Sequence, residues 1–347
     1  MTCCGSSWAS ARTGALRRRS ERMRTGHGVT ELVERMLAGD TLALPRLISL
    51  VEGESEAVAD IMRRIGPHTG RAYCVGVTGP PGTGKSTMVD KLTAIMREKE
   101  LSVGIVAVDP SSPFSGGALL GDRIRMQQHY LDPGVFIRSM ATRGSHGGLP
   151  ATVQGVIKLL DASGRDVIVV ETVGVGQTEL DVVNATDIVI VVLTPESGDA
   201  VQAMKAGLFE IADIFAINKA DREGAARMKA ELEAFVVMKP GEPIPIVLTQ
   251  AHRGIGLDEV YEELERRRRI QEENGELERR RRQRRREEFL EMLQRKVRAR
   301  FLDFAEKDGQ LKDLTERVVA GELDPYSACA RVLDDREWLG KWASQGG

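Results

Sequence analysis

A glycine-rich segment at residues 79–86 constrains the fold of this chain more than any other feature. It reads Gly-Pro-Pro-Gly-Thr-Gly-Lys-Ser and fits the phosphate-binding pattern G-x-x-x-x-G-K-[ST]. An apolar run precedes it at residues 73–77 and a helical pattern follows it, so the sequence predicts the strand–loop–helix unit in which such loops occur. The alternative is a tight turn that binds no ligand, and the Lys-Ser pair argues against that interpretation.

In this loop the glycines allow a tight turn whose N–H groups face phosphate oxygens beside a helix N-terminus. Lys85 is expected to lie on the β- and γ-phosphates, and the Ser86 hydroxyl is expected to bind Mg²⁺. The residues predicted to contact the nucleotide here are Gly79, Pro80, Pro81, Gly82, Thr83, Gly84, Lys85, Ser86 and Thr87.

A second motif, Asn218-Lys219-Ala220-Asp221, indicates the base. It follows an apolar run at residues 214–217, so its side chains should lie at the carboxyl end of a strand, where open α/β sheets bind ligands. Asp221 can accept hydrogen bonds from guanine N1–H and the 2-amino group, and a mispaired carboxylate would penalise the wrong base. The motif alone occurs often by chance, but the two motifs in this order predict a GTP-hydrolysing enzyme.

Between residues 71 and 251, short Val/Ile-rich runs alternate with helical segments. Continuous apolar runs are typical of strands buried on both faces, so the fold class predicted is α/β, a P-loop domain with a mainly parallel sheet. Helical periodicity before this region and long charged helices after it predict helical flanking regions. The predicted divisions are a disordered leader at 1–26, an N-terminal helical region at 27–70, the nucleotide-binding domain at 71–256 and a helical dimerisation region at 257–347.

Acidic residues follow several predicted strands. Asp109 ends one strand, Glu171 ends another, and Asp122 follows the Gly/Ser/Pro-rich loop after Asp109. Carboxylates at strand tips beside a phosphate loop are suited to Mg²⁺. Gly174, just beyond Glu171, can bring a backbone N–H to the γ-phosphate. Lys85, Asp109, Glu171 and Gly174 are therefore the predicted catalytic set, and Ser86, Asp109, Asp122 and Glu171 the predicted metal set.

The charge pattern leaves two questions open. The formal net charge is −2, so no global field draws the chain toward nucleic acid or membranes. The arginine-rich leader resembles a transit peptide, although a disordered leader or a start at Met23 is the preferred interpretation; the expected compartment is cytoplasmic, or the mitochondrial matrix if the leader is a transit peptide. The arginine-rich stretch at 262–300 could bind nucleic acid, but ion-paired helices with an apolar dimerisation stripe are the preferred explanation.

Taken together, these segments resemble the MeaB/ArgK family of methylmalonyl-CoA mutase-associated G proteins. The stretches that carry the resemblance are 76–86, 108–122, 138–144, 170–177, 197–207 and 218–221. The resemblance implies a SIMIBI-class GTPase that forms a homodimer and binds adenosylcobalamin-dependent methylmalonyl-CoA mutase. It would gate loading of the cobalamin and protect the cofactor, which the partner holds, while this chain itself binds GTP or GDP with Mg²⁺.

The resemblance also implies roles for residues that no local pattern singles out. Asp199, Gln202 and Lys205 lie in a segment that resembles the third switch of the family, which senses the mutase. Gln250 and Ala251 stand where the family often has Ser-Ala against the base.

Two other enzymatic functions compete with this one. A GTPase that inserts nickel would usually carry paired cysteines or a histidine cluster, whereas the five histidines here are scattered. An ATP-using kinase linked to amino-acid transport conflicts with the guanine motif, and no apolar run approaches the roughly 20 residues that cross a bilayer. The sequence contains no unambiguous catalytic glutamine or arginine finger, so we expect slow turnover that a partner accelerates.

Overall fold

A computed structural model of the chain describes residues 26–109, 126–141, 151–172, 182–195, 207–236 and 243–344. Among these residues, no helix combines the length and the apolar character that crossing a membrane requires.

The described part of the chain contains one seven-stranded sheet in which every pair of neighbours is parallel. The strands are β1 Tyr73–Thr78, β2 Val103–Asp109, β3 Val135–Ala141, β4 Val167–Thr172, β5 Ile188–Leu193, β6 Ile214–Ile217 and β7 Ile246–Leu248. Their order is β3-β2-β4-β1-β5-β6-β7. The chain turns from one side of β1 to the other between β4 and β5, and ligands of open α/β sheets bind at such a point.

Helices flank the sheet and extend beyond it at both ends of the chain. The helices are α1 Gly26–Leu37, α2 Ala43–Glu52, α3 Val58–Ile65, α4 Lys85–Glu98, α5 Ala151–Ala162, α6 Leu208–Ile211, α7 Ala225–Val236, α8 Leu257–Glu273, α9 Glu276–Lys307, α10 Gly309–Val319, α11 Pro325–Asp334 and α12 Arg336–Ser344. The predicted fold class, an α/β P-loop domain with a parallel sheet and helical regions at both ends, is confirmed.

The strands form because their residues bury both faces of the sheet. Every residue of β1, β4, β5 and β6 is buried, as the Val/Ile runs predict. One face packs against α1–α3, α5 and α7, and the other packs against α4 and α8. Along β1 the side chains alternate accordingly: Val75 and Val77 lie in the cluster with α4, whereas Cys74 lies in the opposite cluster.

Helix α8 belongs to the face that carries the phosphate loop. Leu257, Val260 and Leu264 are fully buried against the sheet and α4. Directly after the C-terminal end of α4, the ammonium of Lys99 lies 5.1 Å from the ring centroid of Tyr261, a residue of α8. The first half of α8 is therefore part of the core of the nucleotide-binding domain, although its later residues are rich in arginine.

A buried polar network holds the end of α8 and the start of α9 to the amino edge of the sheet. The Tyr73 hydroxyl donates to Gln271 Oε1 at 2.9 Å, and Gln271 Nε2 donates to the Asp187 carbonyl at 3.3 Å. Arg280 Nη2 donates to Asp213 Oδ1 at 3.2 Å. Burial raises the pKa of Tyr73 far above its ordinary value, so the phenol remains a donor.

The described chain divides into two compact units, one ending at Arg280 and the other beginning at Arg281. In the second unit Trp338, which is 2% exposed, lies 5.8 Å from Phe301 and 5.2 Å from Phe304 between ring centroids. Side-chain carboxylates cap two of its helices: Asp308 accepts from Leu311 N, and Asp324 accepts from Ser327 N.

Candidate functional site

The glycine-rich loop joins β1 to α4 at the carboxyl edge of the sheet, as predicted. Gly79 has φ +137°, and a Cβ there would lie 2.1 Å from the Val192 carbonyl oxygen. Gly84 has φ +91°, and a Cβ there would lie 2.4 Å from Asn218 Nδ2. Both positions therefore require glycine for packing as well as for backbone conformation. Gly82 has φ +80°, and no heavy atom lies within 4 Å of its Cβ position, so the loop is open on that side.

The Lys85 side chain curls back over this loop. Its Nζ donates to the carbonyl oxygens of Gly79 at 2.7 Å and Pro80 at 2.9 Å, and the residue is 6% exposed. The Thr83 hydroxyl donates to the same Pro80 oxygen at 2.9 Å. The loop thus holds a buried cation at its centre, beside the N-terminus of α4, where backbone N–H groups favour anions. These features fit the phosphates of a nucleotide.

Oxygen ligands for a cation lie directly beside the loop. Ser86 Oγ donates to Glu171 Oε1 at 2.6 Å, and both residues are buried. One residue beyond Glu171, the Thr172 hydroxyl donates to the Thr78 hydroxyl at 2.8 Å, which joins the tips of β4 and β1. A hydroxyl and a carboxylate are oxygen ligands of the kind that Mg²⁺ prefers. The pair therefore fits the predicted metal site.

The Asn218 side chain connects three segments of the site. Its Nδ2 donates to the Thr83 carbonyl at 2.7 Å, and its Oδ1 accepts from Ala251 N at 2.9 Å and from the Thr249 hydroxyl at 3.3 Å. Asn218 is 4% exposed, so water does not replace these bonds. One amide therefore fixes the phosphate loop, the end of β6 and the segment after β7 with respect to one another.

Asn218→Ala is expected to lower the free energy of unfolding by about 2–4 kcal/mol and the GTP affinity at least roughly tenfold, because the Thr83 carbonyl and the Ala251 N–H lose buried partners. Denaturant titration and calorimetry with GTP measure the two effects. Asn184→Ala, at an exposed asparagine, is the matched control. A variant with unchanged stability and unchanged affinity would contradict this role for Asn218.

The remaining base-motif residues lie on the rim of the same edge. Lys219 adopts φ +56°, a left-handed conformation that is uncommon outside glycine and that turns the chain directly after β6. Ala220 N donates to the Thr249 carbonyl at 3.0 Å, which ties this turn to β7. Asp221 is exposed, and Gln250 is held by a hydrogen bond of 3.0 Å from its N to the Ile255 carbonyl.

The structure thus brings the loop, Glu171, the base motif and the segment at Gln250 and Ala251 to one edge of the sheet. The Asp109 backbone reaches the same edge, because Val108 on the preceding position pairs with Thr172. Five predicted residues lie outside the described residues: Asp122, Gly174, Asp199, Gln202 and Lys205. So do residues 1–25 of the predicted leader.

Sequence reasoning missed several residues that build this edge. No motif assigned a role to Thr78, Thr172 or Thr249, and their partners lie in distant parts of the sequence. Their one common signal is position, since each is a threonine at the carboxyl end of a strand or directly after one.

Comparison with known proteins agrees with this geometry. The model of the family described as methylmalonyl-CoA mutase-associated GTPase MeaB matches residues 44–306. A Pyrococcus abyssi protein named as a GTPase is 48% identical over 313 residues, which are 88% of this chain and 96% of that protein. The Mus musculus protein named methylmalonic aciduria type A homolog, mitochondrial, is 31% identical over 268 residues, which are 75% of this chain and 65% of that protein.

Among solved structures, the crystal structure of an LAO/AO transport system kinase has a TM-score of 0.65 and 24% identity, and the match covers 89% of this chain and 98% of that chain. That likeness supports the fold. The family match and the sequence identities go further, and they agree with the glycine-rich loop and the motif at residues 218–221 lying at one edge of the sheet. This chain belongs to the MeaB family of GTPases, and hydrolysis of GTP is its activity.

Proposed function

We propose that this GTPase is a chaperone for adenosylcobalamin-dependent methylmalonyl-CoA mutase or a related acyl-CoA mutase. In this role it gates loading of the cobalamin and protects the loaded cofactor, which the mutase holds. The observation that supports the proposal is the match over residues 44–306 to a family described as mutase-associated, in a chain whose phosphate and base segments lie at one edge of the sheet.

The described residues suggest how each part of the site would act on GTP. When bound, Mg²⁺ supplies positive charge beside the phosphates, and Ser86 and Glu171 would hold it. Lys85 would exchange its bonds with the loop carbonyls for phosphate oxygens and so neutralise charge that develops during hydrolysis. Asp221 would accept from the guanine edge, while Lys219 and the Gln250–Ala251 segment would line the base. Asp109, Asp122 and Gly174 would complete the metal and γ-phosphate contacts.

Partner contact is assigned to the segment that contains Asp199, Gln202 and Lys205. The described residues that precede it, Thr194 and Pro195, follow the carboxyl end of β5, and β5 is the neighbour of β1, the strand that leads into the phosphate loop. A partner bound there could complete a site that turns over slowly alone. Single-turnover GTP hydrolysis should therefore be slow for the isolated protein and faster with the mutase.

Capture of the mutase is the direct test. The tagged full-length protein, loaded with GDP or with a non-hydrolysable GTP analogue, is incubated with native extract, and bound proteins are identified by mass spectrometry. A cobalamin-dependent acyl-CoA mutase should be retained in a nucleotide-dependent amount. Absence of any such mutase in both nucleotide states, with a protein that binds GTP normally, would refute the proposed function.

We also propose that the protein is a homodimer formed through α9. Its exposed apolar residues Phe289, Leu293 and Val297 recur every four residues and form one stripe, and Phe289 is 63% exposed. Light scattering of the full-length protein at micromolar concentration should give twice the chain mass, and Leu293→Glu should reduce it to the single mass. A wild-type protein with the mass of a single chain would refute the proposed homodimer.

A further inference from the structure

Two threonines, Thr78 and Thr172, meet at the carboxyl ends of the neighbouring strands β1 and β4. The paired backbone positions of these two strands end at Val77 and Glu171. One residue further along each strand, the Thr172 hydroxyl donates to the Thr78 hydroxyl at 2.8 Å, and both side chains are fully buried. A side-chain hydrogen bond therefore continues the contact between β1 and β4 where the paired positions end.

The two threonines lie at the centre of an apolar row. Thr172 is paired with Val108 of β2, and Thr78 is paired with Val191 of β5. These two valines belong to the buried cluster on the face of the sheet opposite α4. Because paired residues of neighbouring strands point to the same face, both hydroxyls lie among apolar side chains. A buried hydroxyl costs free energy unless it is hydrogen-bonded, and the bond between the two threonines offsets that cost.

Net stability is a weak explanation for this pair. A hydrogen bond between two buried hydroxyls returns little more than the cost of taking them out of water, and two valines of nearly the same shape would avoid that cost. The hydrogen bond adds a short, fixed distance instead. Non-bonded carbon atoms prefer a separation of about 3.5–4.0 Å, whereas the two hydroxyl oxygens are 2.8 Å apart. The pair therefore holds the two side chains closer together than methyl groups would.

The sequence neighbours of the pair belong to the two halves of the nucleotide site. Glu171 directly precedes Thr172, and its Oε1 accepts from Ser86 Oγ at 2.6 Å. Gly79 directly follows Thr78 and begins the phosphate loop. Successive residues of a strand point to opposite faces, so Glu171 faces α4 while the threonines lie on the other side of the sheet. The pair thus ties the backbone that carries the carboxylate to the backbone that starts the loop.

We propose that Thr78 and Thr172 are positioning residues for the Mg²⁺ site, whose hydrogen bond sets the distance between Glu171 and the phosphate loop. This inference rests on the proposed role of Glu171 as a metal residue. Neither threonine would touch the ion. Both act through the ends of the two strands, because a change in their spacing shifts the carboxylate relative to Ser86.

Thr172→Val tests the spacing with little change in side-chain shape. A methyl group in place of the hydroxyl prefers a distance of about 3.5 Å or more from its neighbour, so the two strand ends should move roughly 0.7 Å apart. Because a misplacement of about 1 Å can cost up to roughly 10²-fold, the Mg²⁺ concentration that half-maximally tightens the binding of fluorescent GDP should rise roughly tenfold. This readout is nucleotide binding, so it does not depend on turnover.

Two further variants of the pair complete the test. Thr78→Val breaks the same hydrogen bond from the other side and should shift the Mg²⁺ dependence in the same direction, so the test stands if one valine variant does not fold. Thr172→Ser keeps the hydroxyl donor, and its Mg²⁺ dependence should stay within about twofold of wild type. A Thr172→Ser variant that behaves like Thr172→Val would show that the hydroxyl is not the cause, and would overturn the proposal.

Two controls separate positioning of the metal site from general damage. Thr93 is a buried threonine of α4 whose hydroxyl donates to the Val89 carbonyl at 2.7 Å. Thr93→Val removes this hydroxyl without changing the contact between β1 and β4, so the Mg²⁺ dependence should stay within about twofold of wild type. The affinity of Thr172→Val for GDP in EDTA should stay within about threefold of wild type, because the proposed effect passes through the metal.

Two results would overturn the positioning role. One is a folded valine variant of Thr78 or Thr172 with the Mg²⁺ dependence of the wild type. The other is a loss of GDP affinity in EDTA as large as the loss in Mg²⁺, because that result would place the effect in the phosphate loop itself.

Glu171→Gln distinguishes this inference from the role of Glu171 itself. If Glu171→Gln leaves the Mg²⁺ dependence unchanged, the proposed metal role of Glu171 fails, and the positioning role of the threonines fails with it. If Glu171→Gln raises the Mg²⁺ requirement and the valine variants do not, the metal role stands and the positioning role alone is wrong.

Discussion

Asp221→Asn is expected to lower the affinity for GTP about 10²- to 10³-fold and to give xanthosine triphosphate the higher affinity, because the new amide donates where the carboxylate only accepted. Guanine presents two donors to this position, whereas xanthine presents a carbonyl oxygen in place of the 2-amino group. The change reverses one hydrogen bond at the base edge and leaves the phosphate loop as it is.

The structure indicates that this substitution leaves the fold intact. Asp221 is exposed, and the bonds that hold the base segments together belong to Asn218 and the Thr249 carbonyl. Loss of GTP affinity in this variant would therefore report on base recognition. Calorimetric titration with GTP, xanthosine triphosphate and ATP gives the three affinities directly.

Glu223→Gln is the matched control, because it removes an exposed carboxylate two residues further along the same turn. It should bind GTP as the wild type does. Unchanged GTP affinity in Asp221→Asn would show that this carboxylate does not bind guanine. If the wild-type protein bound ATP with the same affinity as GTP, that result would also contradict the assignment of Asp221 to guanine.

Lys85→Ala is expected to reduce GTP hydrolysis by about 10³-fold or more, because the site loses the cation that neutralises charge on the transferred phosphoryl group. The side chain also makes two buried hydrogen bonds to the carbonyl oxygens of Gly79 and Pro80. Their loss would cost about 1–3 kcal/mol of stability, which the removal of a buried charge offsets in part. Single-turnover hydrolysis with radiolabelled GTP and circular dichroism measure the two effects.

Lys99→Ala provides the comparison, since this exposed lysine directly follows the last residue of the same helix and faces the Tyr261 ring. It removes one positive charge just beyond α4 without touching the loop, and hydrolysis should stay within about twofold of wild type. A folded Lys85→Ala variant that turns over normally would remove Lys85 from the mechanism.

Local patterns in the sequence predicted the elements that form the site. The strand–loop–helix unit follows from a Gly-rich segment between an apolar run and a helical one, and burial of β1 and β4 follows from their continuous Val/Ile character. The base motif at the end of β6 was predicted in the same way. Each of these features depends on residues within one stretch of chain, so a single sequence is sufficient to reveal it.

The arginine-rich composition was less informative about packing. From that composition, residues 257–347 were predicted to form one helical region. In the structure, Leu257, Val260 and Leu264 bury the first half of α8 against the sheet and α4. Charged residues on the outer side of a helix dominate its composition, but a few apolar residues on the other side decide where it packs.

The sequence by itself determined the fold class and the strands and located the glycine-rich loop and the motif at residues 218–221, because these depend on residue type and on spacing along one segment. Only the tertiary structure decided the hydrogen bonds from Asn218 to the Thr83 carbonyl, from Ser86 to Glu171 and from Gln128 to Asp90. The partners in these pairs are 135, 85 and 38 residues apart. Their meeting depends on the order of strands in the sheet and on the path of the connections between them, which no local pattern encodes.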